Sequence, residues 1–266
     1  MMSVIEKYNA RVEGANSLVC VGLDSDYERL PVRFRSEAEP QFAFNRWIIE
    51  QTHPYASAYK PNMAFYEARG EPGLHALKLT LDYLRAEHPD ILTICDAKRA
   101  DIGSTNTGYV SAVFDWLGFD AITLHPYLGR EALQPFLDRA DKGCIILCRT
   151  SNQGAGELQD LLIDGRPLWQ VVAEKVRDDW NTYGNCLLVV GATYPRELEQ
   201  VRALAPELTF LVPGVGAQGG EVEATVRAGR DRAGRGMIIN SSRGIIFDDD
   251  PAEAVCSLRD EINRYR

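Results

Sequence analysis

Short, continuously apolar runs alternate with amphipathic segments along the whole chain. Because these runs are continuously apolar rather than alternating, each is typical of a strand that is buried on both faces. Eight of them stand out: Leu18–Leu23, Ala56–Tyr59, Ile91–Cys95, Ala121–Leu124, Cys144–Cys148, Cys186–Val190, Leu208–Val212 and Met237–Ile239. The pattern therefore predicts eight strands.

The segments between these runs show a spacing of apolar residues that is typical of helices. Apolar side chains recur at i, i+3, i+4 and i+7 in three places, and prolines precede several of the helical segments. These stripes are Val110/Val113/Phe114/Leu117, Leu133/Phe136/Leu137 and Trp169/Val172/Val176/Trp180, and the prolines are Pro167, Pro195 and Pro251. Strands alternating with helices over this length predict an α/β fold, a (β/α)₈ TIM barrel forming a single domain over residues 1–266. A doubly wound open sheet is the competing layout. The longest irregular stretch, Ser151–Arg166, is expected to be functional or mobile.

Polar and charged residues follow the apolar runs at the strand ends, where a barrel builds its active site. Asp24 follows the first run, Lys60 the second, and Asp96 and Lys98 the third, with Asp101 close behind. In an extended run Asp96 and Lys98 would point the same way, which predicts an alternating set of cations and carboxylates. A structural ion network is the alternative, but ionisable groups converging at this end favour chemistry.

A glycine-rich segment follows the seventh run. Gly214-Val-Gly216-Ala-Gln-Gly219 matches G-x-G-x-x-G and precedes the helical segment Glu221–Ala228. A dinucleotide fingerprint belongs after the first strand, so a phosphate site shared with Arg243, after the eighth run, fits better. Glycines that merely turn the chain are the alternative. Asp248, Asp249 and Asp250 precede a helical pattern. Carboxylates at a helix start offset the positive end of the helix dipole, and this interpretation is favoured over a metal site.

Composition narrows the function classes. The formal net charge of the 266 residues is -9, which argues against broad nucleic-acid binding. No apolar run reaches the length of a membrane span, and the first residues lack the apolar core of a signal peptide. The six cysteines show no C-x-x-C pair and mostly lie in apolar runs, so we expect reduced core thiols in a cytoplasmic protein.

The strand-end motifs resemble one known family. Asp96-Ala-Lys98-Arg-Ala-Asp101-Ile102 is similar to the D-x-K-x-x-D-I signature of the orotidine 5′-phosphate decarboxylases, in their longer bacterial form. Four further motifs resemble the same family in the same order. These are Val21-Gly-Leu-Asp24, Tyr59-Lys-Pro-Asn62, Pro213-Gly-Val-Gly-Ala-Gln218-Gly-Gly220 and Asn240-Ser-Ser-Arg243-Gly-Ile245. One departure is Ser242, a position that is often glycine in shorter members.

The resemblance implies a cofactor-free decarboxylation of orotidine 5′-phosphate to uridine 5′-phosphate. In it, Asp24 and Lys60 contact the ribose hydroxyls, and Asp96 faces the departing carboxylate. Lys98 protonates C6 of the pyrimidine. Asp101 reaches across a dimer interface into the neighbouring site, which implies a homodimer.

The remaining implied roles concern binding. Thr105 approaches the ribose, Ser151 hydrogen-bonds the pyrimidine, and Pro213 opens the first phosphate loop. Gln218 bridges toward the phosphate, and Arg243 binds it directly. Two rivals stay open: a metal-dependent sugar-phosphate decarboxylase with the same D-x-K-x-x-D core, and a non-catalytic nucleotide-binding barrel.

Overall fold

The computed structural model describes residues 2–215 and 222–266. Eight parallel strands close into a barrel, in which each strand pairs with the next along the chain and the eighth pairs with the first. They are β1 (Val19–Gly22), β2 (Ala58–Lys60), β3 (Leu92–Arg99), β4 (Ala121–Leu124), β5 (Gly143–Arg149), β6 (Cys186–Val190), β7 (Phe210–Pro213) and β8 (Met237–Ser241). The predicted (β/α)₈ barrel is confirmed, and the open sheet is wrong.

Helices separate these strands and surround the barrel. The α-helices of the described residues are Val4–Ala15, Val32–Arg35, Pro40–Thr52, Met63–Glu67, Glu71–Glu87, Gly103–Val110, Gly129–Leu137, Gly156–Gln159, Leu168–Lys175, Pro195–Leu204, Val222–Gly229, Arg243–Ile246 and Pro251–Asn263. Two helices continue into π-helical segments, Ser111–Leu117 and Val176–Trp180, and 3₁₀ turns form at Tyr27–Arg29 and Gln153–Ala155.

The predicted apolar stripes face the core, although the local pitch differs from expectation. Val113, Phe114 and Leu117 are buried, yet they lie in a π-helical turn rather than a regular α-helix. Trp169 and Trp180 are buried in the same way at either end of the third stripe. A π turn shifts the backbone hydrogen bonds by one residue, and side-chain spacing alone does not reveal that shift.

The first helix closes the amino-terminal end of the barrel. Ser3 and Glu6 form a reciprocal capping box that starts it, a device that stabilises a helix by about 1 kcal/mol. The buried Tyr8 hydroxyl donates to the carbonyl of Met237, at the start of β8. Lys7 pairs with Asp120, just before β4, at 2.9 Å. The carboxyl ends of the strands are therefore the open mouth.

The segment after β5 has more structure than expected. Ser151–Arg166, predicted to be irregular, contains the turn Gln153–Ala155, the helix Gly156–Gln159 and a hairpin pairing Leu162–Ile163 with Arg166–Pro167. Elements this short bury too little apolar surface to leave a periodic signal in the sequence. The prediction of a long irregular loop was wrong for this reason.

Two smaller predictions concern the aspartates and the cysteines. The Asp250 carboxylate accepts the backbone N–H of Glu253 at the start of the helix Pro251–Asn263, so the interpretation as a helix-start carboxylate is confirmed for Asp250. Five cysteines are buried and Cys256 is partly exposed, all as free thiols in the described structure. Among the helices described, none is long and apolar enough to cross a membrane.

Candidate active site

The Asp96 carboxylate is the centre of the polar cluster at the barrel mouth. It accepts hydrogen bonds from Lys98 Nζ at 2.6 Å, Lys60 Nζ at 2.8 Å, Thr123 Oγ1 at 3.0 Å and Asn62 Nδ2 at 3.3 Å. Burial opposes ionisation of this side chain, but the two ammonium groups outweigh it and hold the pKa of Asp96 well below its ordinary value. Asp96 is therefore a carboxylate shared between two lysines, which favour its charged form.

Lys60 is the buried member of that pair, with a side chain only 4% exposed. Burial alone would favour the neutral amine, yet the negative charges of Asp96 and Asp24 raise the pKa of Lys60 above its ordinary value. An ammonium buried this deeply is tolerated only when it is paired, so removing Asp96 would leave an uncompensated charge. Lys60 thus fixes one oxygen of Asp96 in place.

Lys98 is the accessible member, since half of its side chain is exposed. Its backbone is left-handed, with φ 47°, and the pairing of β3 with β4 shifts register between Cys95 and Arg99. The expectation that Asp96 and Lys98 share a face of an extended run was therefore wrong, although the two side chains do meet. The irregular backbone turns the Lys98 ammonium back onto Asp96 and leaves it open to the mouth.

Thr123 supports this irregular backbone, and sequence reasoning missed it. Its hydroxyl oxygen accepts the backbone N–H groups of Ala97 at 3.0 Å and Lys98 at 2.9 Å, while it donates to Asp96. One threonine therefore satisfies two donors freed by the register shift. A hydroxyl within the otherwise apolar run Ala121–Leu124 was the available signal, because buried polar groups need partners.

A cavity of about 420 Å³ lies over this cluster, within the usual size range of small-molecule sites. Lys60, Asp96 and Lys98 line one side of it, and the predicted residues Ser151 and Pro213 line another. Thr123, Thr150, Asn152 and Gln159 also line it and were not singled out beforehand. The mouth thus combines an ionic wall, from β2–β4, with a neutral hydrogen-bonding wall after β5.

Asp24 lies at the end of β1, where its charge acts on Lys60. Its Oδ1 atom is buried and has no hydrogen-bond partner among the residues described, which leaves an acceptor available there. The neighbouring Gly22 accommodates Ser242, the residue that departs from the shorter family members. A Cβ atom at position 22 would lie 2.7 Å from that of Ser242, and the Ser242 hydroxyl donates to the Gly22 carbonyl at 3.1 Å.

Asp101 and Thr105 lie beyond β3, outside the lining of this cavity. The Asp101 carboxylate accepts the backbone N–H of Ile102, and Asn106 holds the Asp101 backbone through its side-chain amide. Thr105 is exposed on the helix Gly103–Val110. In the described parts of this single chain, neither side chain is brought to Lys98, so their predicted roles remain predictions.

Arg243 lies on the other side of the mouth. It is exposed, and it lines a separate cavity of about 530 Å³ with Ser241, Gly244 and Val215. Gln218, the other predicted phosphate residue, lies outside the described residues. On the side predicted to bind phosphate, the described residues are therefore Arg243 and the ends of β7 and β8 that flank it.

Known proteins are similar to this chain over its full length. The profile of the orotidine 5′-phosphate decarboxylase / HUMPS family matches residues 17–258. The chain belongs to this family. A family relative from Cellvibrio japonicus, named orotidine 5′-phosphate decarboxylase, is 47% identical over 100% of both chains.

Solved structures carry the same fold. The Leishmania donovani OMP decarboxylase is 42% identical, with a TM-score of 0.89 over 99% of this chain and 98% of that one. The Leishmania donovani UMP synthase gives a TM-score of 0.92 at 44% identity, where this chain spans 57% of the longer protein. The family resemblance of the strand-end motifs is thereby confirmed.

Proposed function

We propose that the protein decarboxylates orotidine 5′-phosphate to uridine 5′-phosphate and CO₂, the last step in making the pyrimidine nucleotide UMP. The observation that carries this proposal is the Asp96 carboxylate shared between the buried Lys60 and the accessible Lys98, in a cavity of nucleotide-compatible size. Full-length relatives named for this activity support it.

The chemistry needs a charge-stabilising acid, and Lys98 supplies it. Breaking the bond between C6 and the carboxylate carbon releases CO₂ and leaves the electron pair in an in-plane orbital at C6. The pyrimidine π system does not delocalise that pair, so a preorganised positive charge must stabilise it. Lys98 Nζ then delivers its proton to C6, and the neutral amine is reprotonated from water.

Asp96 and Lys60 hold this acid in register. Asp96 fixes the Lys98 ammonium at 2.6 Å, and its negative charge faces the position proposed for the substrate carboxylate. Loss of CO₂ relieves that repulsion, while the main role of Asp96 is positioning. Lys60 and Asp24 are assigned to the ribose hydroxyls, for which Asp24 Oδ1, buried and without a partner among the described residues, is a suitable acceptor.

Binding of the two ends of the nucleotide is assigned to opposite walls. Ser151, which lines the cavity, is assigned to the pyrimidine. Pro213 opens the first phosphate loop, Gln218 bridges toward the phosphate, and Arg243 binds it directly. A phosphate far from C6 contributes binding energy that closes the site around the reacting ring. No cofactor enters this scheme.

A homodimer completes the proposal, with Asp101 and Thr105 serving the neighbouring site. Large apolar side chains near these residues support it, because Ile102 is 60% exposed and Tyr127 is 78% exposed on the segments after β3 and β4. Mixing Asp101→Asn subunits with Lys98→Ala subunits tests it. Mixed dimers should regain activity in one site. If the mixture stays as inactive as the two variants alone, the subunits do not share their sites.

The free buried thiols suit a reducing cytoplasm.

The metal-dependent sugar-phosphate decarboxylase is the closest rival. The Lys60 ammonium already bonds the Asp96 oxygen that a metal would need, which favours the nucleotide substrate. Incubation with orotidine 5′-phosphate, followed by pyrimidine absorbance with and without chelator, tests the proposal. We expect equal turnover with and without the chelator. Tight binding of uridine 5′-phosphate without turnover would instead support a non-catalytic nucleotide-binding barrel.

A further inference from the structure

Ser151 is held from two sides at the end of β5. On one side lies Gly191, directly after β6, whose backbone N–H donates to the carbonyl of Arg149 at 2.8 Å. A Cβ atom at position 191 would lie 2.7 Å from Ser151 Cβ and 2.9 Å from Ser151 Cα. Real Cβ atoms do not approach this closely, so Ser151 occupies its place only because residue 191 is glycine.

Gln159 reaches back to this segment from the other side. Its Oε1 atom accepts the backbone N–H of Thr150 at 2.9 Å, and its Nε2 atom donates to Thr150 Oγ1 at 2.8 Å. A single side-chain amide thus binds both the main chain and the hydroxyl of the residue before Ser151. Gln159 also lines the 420 Å³ cavity with Ser151 and Lys98.

Arg149 fixes the amide of Gln159 from behind. Arg149 is 3% exposed, and its guanidinium donates to Gln159 Oε1 at 3.4 Å and to Asp160 Oδ2 at 3.3 Å. The same guanidinium lies 4.1 Å above the Tyr194 ring. A buried cation held on several sides is a rigid anchor, so it determines which way the Gln159 amide faces.

We propose that Gln159 is a positioning residue for the pyrimidine side of the site, acting with Gly191 to set the place of Ser151. This inference rests on the proposed assignment of Ser151 to the pyrimidine. The short helix Gly156–Gln159 places this side-chain amide at the end of β5. Loss of that amide releases Thr150 and lets Ser151 move relative to Lys98, which weakens recognition of the base and leaves the phosphate side untouched.

Ligand binding to the full-length protein separates this role from a merely structural one. We expect Gln159→Ala to weaken binding of uridine 5′-phosphate about 10-fold, the effect of two neutral hydrogen bonds. Binding of ribose 5-phosphate, which lacks the base, should stay unchanged. Gln159→Glu keeps the acceptor for Thr150 and Arg149, so it should recover part of the loss. Gln153→Ala, an exposed glutamine of the same segment, is the matched control.

Gly191→Ala supplies an independent approach from the opposite side, and it should produce the same selective loss for the base-containing ligand. Unchanged affinity of Gln159→Ala for uridine 5′-phosphate overturns the proposal. Equal weakening of both ligands, or a loss that follows a fall in Tm and is not recovered by Gln159→Glu, also overturns it. Inactivity of the wild-type protein toward orotidine 5′-phosphate would instead refute the proposed function, since these binding measurements do not depend on turnover.

Discussion

The two sides of the barrel mouth are built in opposite ways. On the β2–β4 side, Asp96 is buried and accepts four hydrogen bonds, two of them from lysines. On the β8 side, Arg243 is exposed and makes no side-chain hydrogen bond to the described residues. The groups proposed to act in the bond-breaking step are fixed before substrate arrives, whereas the proposed phosphate ligand faces solvent.

This difference fits the role proposed for each side. A charge that stabilises a transition state is effective when its position needs no reorganisation during the reaction. A charge that captures a dianion is effective when it is accessible, since its contribution is binding energy. Substitutions on the two sides should therefore affect different kinetic constants.

Lys98→Ala should have the largest effect, because it removes the proposed proton donor, which is also the charge proposed to lie next to C6. We expect kcat to fall by at least about 10⁴-fold, the upper range for general acid catalysis, with affinity for uridine 5′-phosphate retained. Fixed-time activity assays measure kcat, and calorimetric titration measures the affinity for uridine 5′-phosphate. Lys175→Ala, at an exposed helical lysine, is the control. Turnover within 10-fold of wild type would remove Lys98 from the mechanism.

Arg243→Ala should come next and should act on binding. The loss of a charge-assisted contact predicts about a 10²-fold fall in kcat/KM for orotidine 5′-phosphate. The nucleoside orotidine, which has no phosphate, should react equally slowly with both proteins. Arg232→Ala, at an exposed arginine in a turn, is the control. An unchanged kcat/KM for the phosphorylated substrate contradicts the assignment.

Thr123→Val should have a smaller effect, confined to the prebuilt side. Valine has the same shape but leaves the N–H groups of Ala97 and Lys98 without their acceptor, at a cost of about 1–3 kcal/mol in the free energy of unfolding. We expect kcat to fall about 10-fold as the Lys98 backbone relaxes. Chemical denaturation and steady-state kinetics measure both. Thr209→Val, at the opposite end of the barrel, should change neither kcat nor the free energy of unfolding. If Thr123→Val keeps the wild-type kcat, the left-handed backbone of Lys98 persists without Thr123.

A pH series should have the smallest effect and should separate the site from the rest of the molecule. The lowered pKa of Asp96 and the raised pKa of Lys60 keep this pair charged from mildly acidic to mildly basic pH. Elsewhere, the rings of His53 and His88 stack with centroids 4.4 Å apart, and burial, together with nearby positive charge, lowers the pKa of each.

For these histidines the unfolded chain binds protons more readily than the folded chain. Their stabilising effect is complete above their ordinary pKa of 6.5 and is lost as pH falls through the lowered folded value. Tm should therefore decline between about pH 7 and pH 5, and His53→Asn with His88→Asn should flatten the decline. His75→Gln, at an exposed histidine, is the control. If the Tm of the double variant falls with pH as steeply as that of the wild type, other groups cause the acid sensitivity.

Much of the barrel could be predicted from the sequence because each buried strand is a short apolar run with a polar end. Asp24, Lys60, Asp96 and Lys98 were found in this way, since the carboxyl ends of parallel strands meet at one mouth. The Thr123 contacts could not be found, because they depend on a register shift between β3 and β4 that no local pattern encodes. Likewise, Gln159 lies in a four-residue helix too short to leave a periodic signal, and its contacts with Thr150 form only once the chain has folded.

The left-handed backbone of Lys98 has a consequence for how this position is filled. For a residue other than glycine or asparagine, this left-handed conformation destabilises the folded state by about 1–2 kcal/mol. The hydrogen bonds with the Thr123 hydroxyl and Asp96 counteract that strain. A sequence optimised only to fold would place glycine or asparagine at residue 98. Lysine at this strained position fits the role proposed for residue 98, because neither glycine nor asparagine could supply the ammonium that Asp96 holds.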